Sequence, residues 1–587
     1  MPSVIRVLRG LGRRHLWFLL GLSLAATFVR WPSLDGWDDG FYVAQLTSAV
    51  GDRDLLLHDD LLALPSPLLN RLRMLTGIVG TGALANTFSI GPAFLHASYS
   101  WPLLLGARPS PLVLRATLAC GALGLLVVTV LAMVSFCERM GASRGTARVA
   151  SVLAVALGPL AIYGTRCTLD SHLPSAAAAA LLCASFAAWL DTAAPRHALA
   201  AGLSAGLLAA TRWQELVFVL ALAPAAVACV MRGHGSRRER SLGAVLGVAG
   251  FGLVVSLQLL AWRIQFGSPL LIPQGGGYLH FADPALLPFL FSTYHGLLPW
   301  APGFALGLAA LLLVRPGVDL HHRLFVRGAQ CLVPVALYLS ACPSDWWGGA
   351  SYGPRRLSAL APLVALGLAH ALALLRRPLV RVAVVSALCA WAVFVTTAYL
   401  SDFDDLGVVL TRATSRWNPR PLAAYQGAHW IDHMPTWPRI LRPGFTFSDR
   451  PRLPDRILGI TAAVVIVAAV TATWSVVRRS RRAQRLVVSL GLAWSLSSVA
   501  WLARLPPNTA ADAAWLRVVT APDGCDAPLA VPSGMEDARH LVCAARAVRQ
   551  QDENALRRHL ASISRPEALG VSEDAVRAAV AQQASVQ

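Results

Sequence analysis

The chain contains no lysine. All 51 basic residues are arginine, set against 31 acidic residues, and charged residues make up only 14% of the 587 positions. A genome that favours arginine codons accounts for the missing lysine. So little charge, with 55% hydrophobic residues and a mean hydropathy of +0.54, excludes a large soluble core and indicates a polytopic membrane protein. The net charge of +20 would suit nucleic acid, but basic residues lying between apolar runs set membrane orientation instead, and no nucleic-acid partner is expected. The ten cysteines lack metal-ligand spacing, and most lie in apolar runs as small hydrophobes. Cys525 and Cys543 differ because both fall in a polar tail; outside the cytoplasm they would form a disulfide. No small-x-small cleavage site follows the first apolar run, so the N-terminus reads as an uncleaved helix. The middles of the apolar runs are nearly free of ionisable residues; Arg115, Glu215 and Arg263 lie towards run ends. There is no internal repeat. Ion-coupled transporters usually show both mid-span charges and repeated halves, so these absences argue against one.

Apolar runs of membrane-crossing length occur near 15–30, 111–136, 148–165, 173–190, 197–211, 216–231, 241–262, 300–314, 324–341, 357–375, 380–400, 457–477 and 485–503. The expected fold is an all-α polytopic bundle of about thirteen spans. The stretch 84–105, with Asn86, Pro92, His96 and Pro102, is either a further span or a pair of interfacial, re-entrant pieces. If it does not cross, the arginine clusters at 139–148, 232–240, 315–327, 376–381 and 478–485 share the side of the basic N-terminus, which the positive-inside rule makes cytoplasmic. The opposite, extracytoplasmic side then holds Asp38 and Asp39, 166–172, 265–300, 343–356, 401–455 and the tail from Arg504. The domain reading is a transmembrane module over 1–400, an outer loop with two further helices over 401–503, and a soluble, mostly helical tail over 504–587.

Within this frame the stretch Leu34-Asp-Gly-Trp-Asp-Asp-Gly-Phe-Tyr42 stands out, with three carboxylates within five positions just past the first apolar run. Carboxylates beside lipid are costly. They either form a solvated cap or, as Asp38 and Asp39, a catalytic pair at the water–lipid boundary. Arg166, Asp170 and His172 follow at the end of a later run; Arg166 and Asp170 are four apart, so on a helix they would pair with each other. Gln274, Tyr294 and His295 come from the loop before Trp300. Asp345, Trp346, Trp347, Arg355 and Arg356 lie in and around a glycine-rich run. Glycines beside paired aromatics let backbone and side chains approach a ligand closely, while a single tryptophan is as readily a belt anchor.

These residues resemble the GT-C glycosyltransferases, integral membrane enzymes that take a sugar from a polyprenyl-phosphate donor. Protein O-mannosyltransferases and aminoarabinose transferases of that superfamily carry an acidic pair after the first helix, commonly Asp-Glu; here Asp38-Asp39 stands in that place. Their second motif resembles Arg-x-Tyr-x-Leu-Asp, against Arg166-Cys-Thr-Leu-Asp170 here. The segments Asn86–Ala93, Thr211-Arg-Trp-Gln214, Gly267-Ser-Pro-Leu, Tyr294-His-Gly-Leu-Leu-Pro-Trp300 and Asp345–Arg356 are similar to an uncharacterised bacterial branch, over about residues 15 to 400.

The resemblance implies a bacterial inner-membrane enzyme with an extracytoplasmic site. Asp38 would be general base, with Asp39 orienting it or holding a divalent cation such as Mg or Mn. Asp170 would orient the acceptor or shape the acidic site. Arg355, then Arg356, with His295 as a third donor, would meet the phosphate. The donor would be a polyprenyl-phosphate sugar and the acceptor a lipid, glycan or protein. A flippase for lipid-linked sugars and a non-catalytic assembly factor are the rival readings.

Overall fold

The computed structural model describes residues 37–104, 110–401 and 453–586, interrupted at 65, 80, 85, 293–294, 316–318, 349–350, 522–523, 526–534 and 568. The expected span 15–30, most of the loop 401–455 and Tyr294 lie outside the described residues. The described chain is helical throughout, its extended pairings being two isolated antiparallel bridges, Ile78 with Leu84 and Leu279 with Pro343. Among the described residues, eight helices are long and apolar enough to cross a membrane: Leu112–Arg139, His172–Thr192, Trp213–Arg232, Arg237–Phe266, Leu320–Ala341, Arg355–Leu374, Thr461–Arg479 and Arg481–Leu502.

The chain divides into two compact units. The described part of the first comprises Arg115–Val255 and Leu279–Leu496. Its most enclosed helix is His172–Thr192, where the run Ala176–Ala180 is at most 1% exposed. Alanines permit such close approach. The same device recurs where Pro195–Thr211 meets Arg237–Phe266, because Gly202 and Gly206 of the first lie against Gly247 and Phe251 of the second. A Cβ built on Gly202 would lie 1.9 Å from the Gly247 carbonyl oxygen, so the two backbones are in contact. Gly367 makes an equal approach to the Gly307 oxygen, at 1.9 Å, joining Ala361–Leu374 to Pro302–Leu312. Leu220, Val227, Val245 and Val248 are 57–72% exposed on helices otherwise packed into this unit, the pattern of a surface that meets lipid rather than water.

One expected span is broken. The run 148–165 forms Arg144–Ala156 and then a four-residue turn of helix, Leu160–Tyr163. Pro159 lacks the amide hydrogen needed to continue the ladder and disfavours helix at Gly158, and a Cβ at Gly158 would meet the Phe304 ring at 2.3 Å. The break carries the following residues into turns and bends up to Ser171.

The second unit comprises Ser33–Leu114, Ser256–Tyr278 and Ser497–Gln587. Its helix Gly91–Leu104 has 14 residues, about 21 Å at 1.5 Å per residue, and falls short of a hydrocarbon core of about 30 Å. The tail shares a core with the early segments. Trp515 is fully buried, stacks edge-on against His58 at 4.4 Å and donates from Nε1 to the Leu75 carbonyl at 2.9 Å. Asn508 Nδ2 donates to the Leu55 carbonyl at 2.8 Å. Cys525 and Cys543 form a disulfide, with Cα atoms 5.6 Å apart. The amphipathic helix Glu536–Gln550 buries Ala538, Leu541, Val542 and Ala545, at the three- and four-residue spacing of a single apolar face.

Candidate functional site

The residues singled out in the sequence fall into both units, and each group is described within its own. In the first unit, buried charges and aromatic rings from four separated segments come together. The broken span leaves Asp170 in a bend rather than a helix, so the four-residue spacing from Arg166 no longer sets its partner. Arg355 Nη1 lies 3.6 Å from Asp170 Oδ2, and the carboxylate is 6% exposed. Arg356 is held more tightly: its Nη2 donates to Asp345 Oδ1 at 2.7 Å and to the Asp345 carbonyl at 3.0 Å. Charge-assisted N–H···O bonds run to about 2.7–2.9 Å, so Arg355 has the looser carboxylate contact of the two.

Glycine shapes the turn that delivers these arginines. Gly348 has φ +77°, a conformation that strains any L side chain, and a Cβ there would lie 2.8 Å from Arg355 Nε. Gly353, with φ +51°, passes close to Trp300. Trp346 and Trp347 stand edge to face at 5.8 Å. His295 is 1% exposed and adopts a left-handed conformation, φ 66°. It donates from Nδ1 to the Trp347 carbonyl at 3.0 Å and packs on Trp300 with ring centroids 5.1 Å apart. Burial pushes its pKa down to about 3, aided by the positive charge of Arg355 and opposed by the bond to Trp347. A neutral ring that donates from Nδ1 carries a lone pair on Nε2, so His295 is placed to accept a hydrogen bond there and, with Nδ1 committed to Trp347, has no N–H left for the phosphate that the resemblance assigned to it.

Further members of the cluster, Tyr163, Tyr352, Arg212 and Glu215, were absent from the sequence-derived set, and they surround His172, which was in it. Tyr163 Oη accepts from the Tyr352 amide at 2.9 Å, and Tyr352 shares a 3.1 Å bond with Thr396. His172 stacks on Tyr163 at 4.5 Å and accepts at Nδ1 from Arg212 Nη1 at 2.9 Å, while Arg212 Nε lies 3.6 Å from Glu215 Oε1. A usable signal existed: an Arg–Glu pair three apart, Arg212 and Glu215, at the mouth of an apolar run. Trp346 Nε1 and Thr168 Oγ1 are buried without a protein hydrogen-bond partner, and water or a ligand would satisfy them. Arg166 is half-buried in the turn before Asp170.

In the second unit, Asp38 and Asp39 occupy the first turn of Trp37–Thr47, with Asp39 only 8% exposed. The positive end of the helix dipole favours carboxylates there, which supplies a structural reason for both. Gln274 donates from Nε2 to the Thr87 carbonyl at 3.5 Å. Asp39 fits a metal poorly. Among the described residues, the groups of three ligating side chains that converge are Asp52, Asp59 and Asp60, and His234, Asp319 and His321, and neither includes Asp39. The same unit holds a half-open pocket of about 20 Å³, room for one water, with Leu55, His58, Asn86, Gln265, Asn508 and Asp512 among its lining residues. Burial lowers the His58 pKa to about 3 and raises that of half-buried Asp512 to about 7. Compared with known proteins, the chain matches no protein-family model and no curated protein sequence.

Proposed function

We propose that this protein is a membrane glycosyltransferase of GT-C type, with about thirteen spans, that moves a sugar from a polyprenyl-phosphate donor to a lipid, glycan or protein acceptor. The observation that carries the proposal is the Asp170–Arg355 pair, buried among Trp300, Tyr352 and His295 with the unsatisfied Trp346 donor nearby. Guanidinium beside aromatic faces suits a sugar phosphate: the rings stack on the sugar or prenyl chain and the cation takes the phosphate. The loose contact of Arg355 with Asp170 is one that an anionic ligand competes for, whereas Arg356 is committed to Asp345.

In the reaction the acceptor hydroxyl attacks the anomeric carbon, the bond from that carbon to the phosphate oxygen breaks, and a carboxylate takes the hydroxyl proton. The sequence resemblance alone assigns that role to Asp38 of the second unit, with Asp39 orienting it. Arg355 offsets the charge that develops on the leaving phosphate, where a fixed cation lowers the barrier most. The arginine pattern of the loops supports a site and tail outside the cytoplasm, and the Cys525–Cys543 disulfide fits an oxidising compartment.

Incubating the purified protein with labelled polyprenyl-phosphate sugar and a membrane extract tests this. A transferase moves label to a new covalent partner, Asp38→Asn abolishes that transfer in a folded protein, and Arg355→Ala raises the donor KM more than the acceptor KM. Label that crosses the bilayer still attached to its prenyl phosphate would identify a flippase and overturn the proposal.

A further inference from the structure

The helix Leu320–Ala341 leads at one end to the Asp345–Arg356 turn; its other end carries a second cluster, about 30 Å away along a helix of 22 residues. There Asp319 and His321 meet His234, which lies in the turn between Leu216–Arg232 and Arg237–Phe266. One ligand atom from each of the three residues lies within 4.8 Å of the other two. The His234 and His321 rings stand edge to face, with centroids 5.5 Å apart. His321 is 3% exposed, and its Nε2 is buried with no hydrogen-bond partner in the protein, which is costly unless something fills the place.

We propose that His234, Asp319 and His321 bind one divalent transition-metal ion, zinc being the best chemical fit, and that the ion clips the 233–236 turn to the start of the helix Leu320–Ala341. Two imidazoles and one carboxylate with an open fourth position form a common zinc donor set. Tetrahedral bonds of about 2.0–2.1 Å put ligand atoms about 3.4 Å apart, a contraction that the exposed His234 and Asp319 side chains supply by rotation. A hard cation is disfavoured, because magnesium and calcium want several oxygen ligands and this site offers one carboxylate beside two imidazoles. His322 flanks the site: its Nδ1 is 3.9 Å from Asp319 Oδ2 and its Nε2 is 3.1 Å from Asp191 Oδ1.

The test uses untagged, full-length protein in detergent, stripped with chelator and titrated with Co(II), whose visible bands report tetrahedral coordination, and then with Zn(II). One equivalent of Co(II) gives those bands, Zn(II) displaces it and raises the thermal midpoint, and His234→Ala weakens binding by about 100-fold, at least the loss known for orienting partners. Because His234 is exposed, that variant stays folded even where His321→Ala does not. Asp319→Asn weakens binding as well. An absence of tetrahedral bands, or one equivalent retained unchanged in both His234→Ala and Asp319→Asn, overturns the proposal.

Discussion

Gly348 and Arg355 couple backbone conformation to charge placement. With φ +77°, an alanine at Gly348 costs about 1–2 kcal/mol in backbone strain and pushes on the guanidinium. Gly348→Ala is therefore expected to raise the donor KM several-fold with a small fall in thermal midpoint; a lower midpoint with unchanged KM would detach Arg355 from the substrate. Asp512 gives a pH signature. Its carboxyl titrates at 3.8 when exposed and at about 7 in the fold, so between those values the unfolded chain releases a proton that the folded chain keeps. The contribution to stability is full below pH 3.8 and lost as pH rises through 7. Asp512→Asn, neutral throughout, is expected to raise the thermal midpoint at pH 8 and leave it nearly unchanged at pH 4. His58 has the opposite sign: held down to about 3 from 6.5, it contributes fully above pH 6.5, and that contribution is lost as pH falls. Residue types were readable from sequence and partners were not. Arg166 and Asp170 stand four apart as if on one helix, but both lie in turns and bends, and a guanidinium beside Asp170 comes from Arg355, 185 positions downstream.

Helices packed through glycine give a sharper contrast. A side chain at Gly202 has no room, because the Gly247 oxygen would be 1.9 Å from its Cβ, whereas Gly252 on the same neighbouring helix has nothing within 4 Å. Gly202→Val is expected to destabilise by about 3 kcal/mol, the upper range for overpacking. Gly252→Ala should stabilise by up to about 1 kcal/mol through helix propensity. Thermal midpoints in detergent check both, and equal effects would mean that the helices do not meet at Gly202. Most of the long apolar helices were legible because a run of about 20 apolar residues has few alternatives. Their seams were written in the sequence too, as Gly-x-x-x-Gly on two helices, though nothing there pairs one motif with the other. The split at Gly158 and Pro159 was missed because hydropathy is blind to a single breaker in a run of alanine, leucine and valine.

For the molecule as a whole, sidedness and the tail are the testable properties. If the tail lies outside the cytoplasm, alkaline phosphatase fused after residue 587 is active and a cytoplasmic reporter at the same point is silent; the reverse result would invert the proposed topology. Replacing Cys543 with serine removes a crosslink spanning 18 positions, worth about 3 kcal/mol for a loop of that size. The second unit should then melt earlier, with little change in the first. Sequence composition marked the tail as polar and helical but gave no hint of where it docks, since docking rests on a handful of distant contacts. The bond from Trp515 to Leu75 spans 440 positions. At about 5–20 residues per second, the ribosome needs on the order of 20–90 s after making Leu75 to supply the indole that covers it. Through that interval the nascent segment around His58 and Leu75 waits for an indole cover that is made 440 positions later.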